Sequence, residues 1–313
     1  MPRSICAAVI WGGGVVAPPK PRRSTGYSTA QTTQVVSACL TVVVTLGALM
    51  DDLCIIGGLA PTLLIDYQFG PDHQTGTGHV GTNDLDIGLA VGLLESRQYS
   101  QISERLRQEG FRPDQNDRGN PTPQRWRLRD LNVTVDFLMP PIPGATRGGR
   151  VHNLQGDFAA LIAPGLELAF RERVLIPVNG HTFAGEKVQR PIPVCGPAAF
   201  TVLKAFAFGE RGEPKDAYDL TYILRRWPHG IQNIASALAR HASAHPEIVT
   251  NALTRLASDF ARPDSLGPLR AAAFEGDIAE DPDIAAADSH GYVDDLLRAC
   301  RKLDGIEGMP DSA

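Results

Sequence analysis

The sequence has little of what would fix a compartment or a partner at sight. Five cysteines, Cys6, Cys39, Cys54, Cys195 and Cys300, are scattered over 313 residues without a C-x-x-C pair. That argues against a disulfide framework and a cysteine zinc site, and it fits a reducing cytoplasm. Positive charge is not in excess: 30 Lys and Arg face 35 Asp and Glu, for a net charge of -5. No whole-molecule attraction therefore draws the chain to nucleic acid, and a polyanion has to be met by a local basic patch or by metal ions. The apolar run from Val35 to Met50, VVSACLTVVVTLGALM, has only 16 residues, including two Thr and a Ser, where a membrane span needs about 20. Its apolar positions recur at helical spacing, which predicts a buried helix ending at Asp51 and Asp52, with a secretory signal as the alternative.

What is present is a composition of 43% hydrophobic and 21% charged residues, enough apolar material for a sizeable core in a soluble chain of two modest domains. Residues 1–30 hold Arg3, Lys20, Arg22 and Arg23 but no acid, with a Gly12-Gly13-Gly14 run and Pro18, Pro19 and Pro21, and read as a flexible basic leader. Residues 31–195 alternate strands and helices. After Pro197 the pattern turns helical, at about 198–208, 215–226, 231–243, 246–260 and 292–302, which places a boundary near Gly196 and makes residues 196–313 a helical C-terminal domain. The expected class is α+β, a mixed sheet flanked by helices followed by that helical part. The acidic segment Glu275 to Asp288 reads as a solvated linker.

Within the first part, Cys54 to Ile56 is a short strand running into Gly57-Gly58, with helical spacing from Leu59 to Asp66. Gln68 to Gly81 reads as an exposed loop. From Asp84 to Val91 the residues alternate, with Leu85, Ile87, Leu89 and Val91 on one face and Asp84 and Asp86 on the other. A helix over Gln101 to Gly110 and a polar loop over Arg112 to Thr122 lead to paired strands at Gln124 to Leu128 and Asn132 to Leu138, and the second of these carries Asp136 on its polar face. Arg173 to Val194 reads as a hairpin turning at Asn179-Gly180, with Pro191 and Pro193 confining its second strand to an edge.

Three carboxylates, Asp84, Asp86 and Asp136, thus fall on two strands whose polar faces can converge. Like charges at close range raise one another's pKa unless they share a proton or a divalent metal. Hard oxygen ligands suit magnesium, which leaves coordination positions for water and substrate phosphates. Gly57 and Gly58, lacking side chains, let backbone amides approach phosphate oxygens where the next helix begins.

The ordered pattern C-I-I-G-G-L-A-P-T-L-L, H-V-G-T-N-D-L-D-I-G-L, V-T-V-D-F-L, then F-T-V-L-K-A-F-A-F-G-E-R with K-D-A-Y-D-L, resembles the nucleotidyltransferase superfamily, and within it the AbiEii/AbiGii-type toxins of bacterial toxin/antitoxin pairs. The match spans roughly residues 54–224. The resemblance implies that Gly57 and Gly58 hold nucleotide phosphates, that Asp84 and Asp86 are the metal-binding pair, and that Asp136 is the third acid, a metal ligand that helps activate the acceptor hydroxyl. It implies nucleotide-binding roles for Lys204, matching the family lysine, for Asp216 and Asp219, matching the final D-x-x-D motif, and for Thr82, the small hydroxyl residue two before the first aspartate. It also implies Mg2+, two ions, with a nucleoside triphosphate as substrate. The implied acceptor is a tRNA 3′ end, with a protein side chain second, and the implied partner is an antitoxin.

The same residues have plainer readings. The acids can be solvent-facing residues of a one-sided sheet, Lys204 can snorkel, and Asp216 and Asp219 can form helix-surface pairs with Arg211, Lys215 or Tyr222. His73 and His79 lack a Cys or acid at ligand spacing and read as bystanders. Trp126, on a strand, reads as core. Two functional alternatives stand beside the toxin reading: an adenylyltransferase acting on a small polycation such as an aminoglycoside, favoured by a cleft acidic beyond the metal triad, and a catalytically silent nucleotidyltransferase fold.

Overall fold

The structure, a computed structural model, describes residues 21–70, 78–96, 99–116, 118–128, 133–276 and 281–303. Cys6, His73 and the first 20 residues of the expected leader lie outside them. The rest of that leader is structured: a 3-10 turn at Ser24–Gly26 buries Ser24, and the Tyr27 ring packs on Phe274 at 5.7 Å between centroids.

Ser28 caps helix α1 (Thr29–Leu46) by accepting the Gln31 N–H, and Gly47 at φ 56° ends it. A 3-10 turn, Gly47–Asp52, carries the chain to β1. Segment Thr29–Asp52 is long and apolar enough to cross a membrane by composition. In the fold it is a core helix: Val35, Ala38, Leu40, Val42 and Leu46 are fully buried.

The described strands form one mixed sheet. They are β1 (Leu53–Ile56), β2 (Asp84–Leu89), β3 (Phe111–Gln115), β4 (Pro121–Leu128), β5 (Thr134–Met139), β6 (Val151–Gln155), β7 (Phe158–Ile162), β8 (Arg173–His181) and β9 (Lys187–Cys195), in the order β3-β4-β5-β2-β1-β9-β8, with β7 joining β5 to β6. Short helical pieces intervene: turns at Gly57–Leu59 and Thr62–Asp66, α2 (Tyr67–Phe69), α3 (Val91–Ser96), α4 (Tyr99–Gln108) and α5 (Leu166–Arg171). After Cys195 the elements are helices: α6 (Pro197–Arg211), α7 (Pro214–Arg226), α8 (Gly230–Ala244), α9 (Pro246–Asp259), α10 (Leu266–Glu275) and α11 (Pro282–Arg301). Proline at the first turn of α6, α7, α9 and α11 suits a position whose N–H has no helical partner. The Glu172 carboxylate, at the end of α5, accepts the Ala199 N–H at 2.7 Å and so caps α6 across the change from strands to helices. One continuous buried cluster runs from Val35 to Cys300. Cys39, Cys54, Cys195 and Cys300 are buried in it as free thiols. Burial pushes those of Cys39, Cys54 and Cys300 up to about 12.

Several expectations need correction. Arg112 to Thr122 is not a loop throughout but holds β3, an edge strand on which Pro113 is tolerated, and the start of β4. Val91 leaves the sheet to begin α3 and is exposed. The β8–β9 hairpin keeps Asn179 and Gly180 in its ladder and turns later, around Gly185 at φ 82°. Strand β9 lies inside the sheet. Its prolines are tolerated because it bridges β1 only through Ile55 and Val194, at its far end. The acidic stretch is no linker from Pro282 on, since Asp281 caps α11 by accepting the Asp283 N–H.

Candidate functional site

Strands β2 and β5 run parallel side by side, Asp84 opposite Thr134 and Asp86 opposite Asp136. Two-residue alternation sends Leu85, Ile87, Val135 and Phe137 into the core, all fully buried, and turns the acids to the other face. There Asp84, Asp86 and Asp136 each offer an oxygen, and these lie within 4.8 Å of one another. Thr82 Oγ1 donates to Asp84 Oδ1 at 2.8 Å. Arg125, paired with Asp136 across the β4–β5 ladder, donates from Nε to Oδ1 at 2.7 Å and from Nη2 to Oδ2 at 2.6 Å. This fork raises the guanidinium pKa further against the opposing effect of burial.

Strand β1 delivers the glycines. Ile56 pairs with Asp86, so Gly57 stands beside that carboxylate with φ 66°, and a Cβ there would run into it. Glycine is required at this position by the acid as well as by the left-handed backbone. A Cβ on Gly58 would lie 2.8 Å from Thr82 Oγ1 and 3.2 Å from Lys215 Nζ.

Helices α6 and α7 close the other side of a 510 Å³ cavity lined by all nine residues singled out from the sequence. Lys204 Nζ, buried, donates to Asp216 Oδ1 at 2.8 Å and Asp219 Oδ2 at 2.7 Å. Arg211 forks onto Asp216 at 2.6 and 2.8 Å, and Lys215 donates to Asp219 Oδ1 at 2.7 Å. Asp216 and Asp219 are thus paired with Arg211 and Lys215, but in the interior and not on the surface, while Tyr222 donates instead to Asp66 at 2.6 Å. Burial alone would raise the Asp216 carboxyl; Lys204 and Arg211 hold it at about 2. The Asp219 carboxyl is driven lower still by Lys204 and Lys215 against the same burial. Burial also pulls on the lysines. Lys204, between two aspartates, nevertheless sits above its ordinary value, whereas Lys215, with one, sits below.

His79 is the residue that sequence reasoning missed most clearly. It is buried, in a stretch expected to be an exposed loop. The Gly81 N–H donates to its Nδ1 at 3.1 Å, which leaves the proton on Nε2, 2.8 Å from Asp219 Oδ1. Burial holds the imidazole below its usual 6.5 although Asp219 opposes this. The one hint was an apolar neighbour, Val80, in a polar stretch. Arg125 was legible only as part of Arg125-Trp126-Arg127, an alternation that puts both arginines on the face opposite a tryptophan. Trp126 is fully buried against Phe158, as core.

Neither a family model nor a curated protein matches this sequence. Among solved structures, the chain is similar to the antibiotic-resistance factor ANT(2'')-Ia at 13% identity, over 69% of this chain and 95% of that one, with a TM-score of 0.36.

Proposed function

We propose that the chain is a magnesium-dependent nucleotidyltransferase that moves a nucleoside monophosphate from a nucleoside triphosphate to an acceptor hydroxyl. One observation carries the reading: Asp84, Asp86 and Asp136 converge within 4.8 Å beside the Gly57-Gly58 turn, in a cavity that also holds four cationic side chains. The donor set fits the metal, since all three groups are carboxylates and such oxygens suit a hard cation. Bound there, magnesium supplies positive charge to the reacting phosphate and the departing pyrophosphate.

The protein's own residues do the rest. Gly57 and Gly58 present backbone without side-chain bulk to the phosphates. Thr82 fixes one oxygen of Asp84, and Asp136 is placed to take the acceptor proton as the acceptor oxygen bonds to the α-phosphorus and the bond to pyrophosphate breaks. Lys215 and Arg211 provide charge for the triphosphate, and Lys204, locked between Asp216 and Asp219, holds α6 and α7 in register.

The motif resemblance favours a tRNA 3′ end as acceptor and an antitoxin as partner. A protein side chain is the second acceptor, and a small polycation the alternative outside the toxin reading. Beyond the triad the lining carries four acids, Glu210, Glu213, Asp216 and Asp219, against the four cations Arg125, Lys204, Arg211 and Lys215, a balance that gives a small polycation no particular attraction. Purified protein is incubated with each α-labelled nucleoside triphosphate, magnesium and a lysate separated into RNA, protein and small molecules, beside Asp86→Ala. Label in tRNA-sized RNA that requires Asp86 supports the first acceptor, label in protein the second, and label in the small-molecule fraction the small polycation. Triphosphate binding with no transfer in any fraction overturns the enzymatic reading.

A further inference from the structure

The Arg125–Asp136 pair sits inside the triad itself. Three carboxylates this close repel unless a cation joins them, and the fork from Arg125 brings their formal charge from -3 to -2. It does so by engaging both oxygens of the one acid that comes from β5. A divalent ion bridging all three acids must share Asp136 with the guanidinium or take it over.

Arg125 is also the cation bonded to the triad, and it has room to move; Arg211, at 50% exposed, is more open but forks onto Asp216 outside the triad. The Arg125 side chain is 31% exposed and lines the cavity, whereas Arg127, two residues on, is 14% exposed and tied to Asp114 at 3.0 Å, and Lys204 is 7% exposed between two aspartates. A guanidinium presents the same planar donors to a phosphate as to a carboxylate. A triphosphate entering this cavity offers Arg125 a replacement partner at the moment an incoming cation needs Asp136.

We propose that Arg125 is an exchangeable counter-ion of the triad: it holds Asp136 until a triphosphate takes the guanidinium over, so that divalent cation and nucleotide bind as a coupled pair and neither binds well alone. The proposal rests on the nucleotidyltransferase reading and adds to it an order of binding and a residue that enforces it.

The test is binding, not turnover. Free Mn2+ is followed by electron paramagnetic resonance during titration of the full-length protein, with and without a non-hydrolysable nucleoside triphosphate, for the wild type, Arg125→Gln, Arg125→Lys and Asp84→Asn. Removing one positive charge at contact distance is expected to tighten Mn2+ binding in the absence of nucleotide about tenfold or more in Arg125→Gln. Arg125→Lys, which keeps the charge but loses the fork, falls between Arg125→Gln and the wild type. Nucleotide strengthens Mn2+ binding in the wild type and much less in Arg125→Gln. The proposal is overturned if Arg125→Gln binds Mn2+ no tighter than the wild type while Asp84→Asn abolishes binding, because the metal site then exists and Arg125 does not compete for it. If no variant binds Mn2+ even with nucleotide present, the metal reading falls and the proposal falls with it. Thermal melts followed by circular dichroism establish that each variant is folded.

Discussion

Asp219 takes hydrogen bonds from three side chains on three segments: Lys204 on α6, Lys215 on its own helix α7, and His79 from the chain just before β2. Substituting it with Asn leaves two buried ammonium groups short of their counter-charge, and breaking a buried pair in this way costs about 3–5 kcal/mol. Urea denaturation of Asp219→Asn against the wild type measures this, and a loss under 1 kcal/mol would contradict it. The same cluster sets a pH dependence. The folded His79 value lies below the unfolded one, so between the two the unfolded chain binds more protons and stability rises with pH. Its contribution is complete above about pH 6.5 and is lost as pH falls toward the folded value; that of Asp216, lowered from 3.8 to about 2, is lost only further down. Urea midpoints at pH 7.5 and 5.5 should therefore differ more in the wild type than in His79→Gln. At Gly57 the prediction concerns geometry: Gly57→Ala meets both the positive φ and the Asp86 carboxylate, and is expected to lower stability by roughly 1–3 kcal/mol and to abolish Mn2+ binding. A variant that retains wild-type metal affinity would show that Asp86 does not need this space.

At the level of elements, the sequence was most readable where one physical signal dominated. Strand β2 alternates apolar and acidic residues, and β5 sets Asp136 between the buried Val135 and Phe137, so both the strands and the convergence of their acids could be inferred from the pattern alone. Helices α6 to α9 announced themselves by period, and α6, α7 and α9 also by proline at their starts. Strand β3 was hidden because its proline is harmless only at a sheet edge, which is a tertiary fact. Strands β6 and β7 and helix α5 followed a glycine- and proline-rich stretch whose composition argued for loop, α10 was obscured by Gly267 and Pro268 in its first turn, and the first turns of α11 by charge that caps and solvates a helix as readily as it marks a linker. In the site the acids and glycines were legible from spacing, while Arg125 and His79 act through partners 11 and 140 residues away, a separation no local pattern reveals. Amide hydrogen exchange should show the same ordering: slowest in β2, β5 and β1, faster in the edge strands β3 and β8. Faster exchange in β2 than in β3 would be inconsistent with this sheet order.

On the scale of the whole molecule, the cavity exists because a strand-built part and a helical part each supply half of its wall. The triad and glycines come from before Cys195, and the lysines, Arg211 and the paired aspartates from after it. Expressed alone, residues 21–195 would lose the helices that Glu172, Asp66 and His79 bond to. That fragment is expected to expose apolar surface and bind a hydrophobic dye, a result that well-dispersed, cooperative unfolding would refute. The four buried thiols add something the protein was under no obligation to provide, an internal set of chemical clocks. Cys39 on α1, Cys54 on β1 and Cys195 on β9 belong to the strand-built part, and Cys300 on α11 to the helical part. Burial keeps all four protonated as well as hidden, so an alkylating reagent can mark each one only when the chain around it opens. Timing the four labels by mass spectrometry would tell whether the helical wall swings away by itself or the molecule yields as one, and so whether a bulky acceptor can enter without unfolding its host.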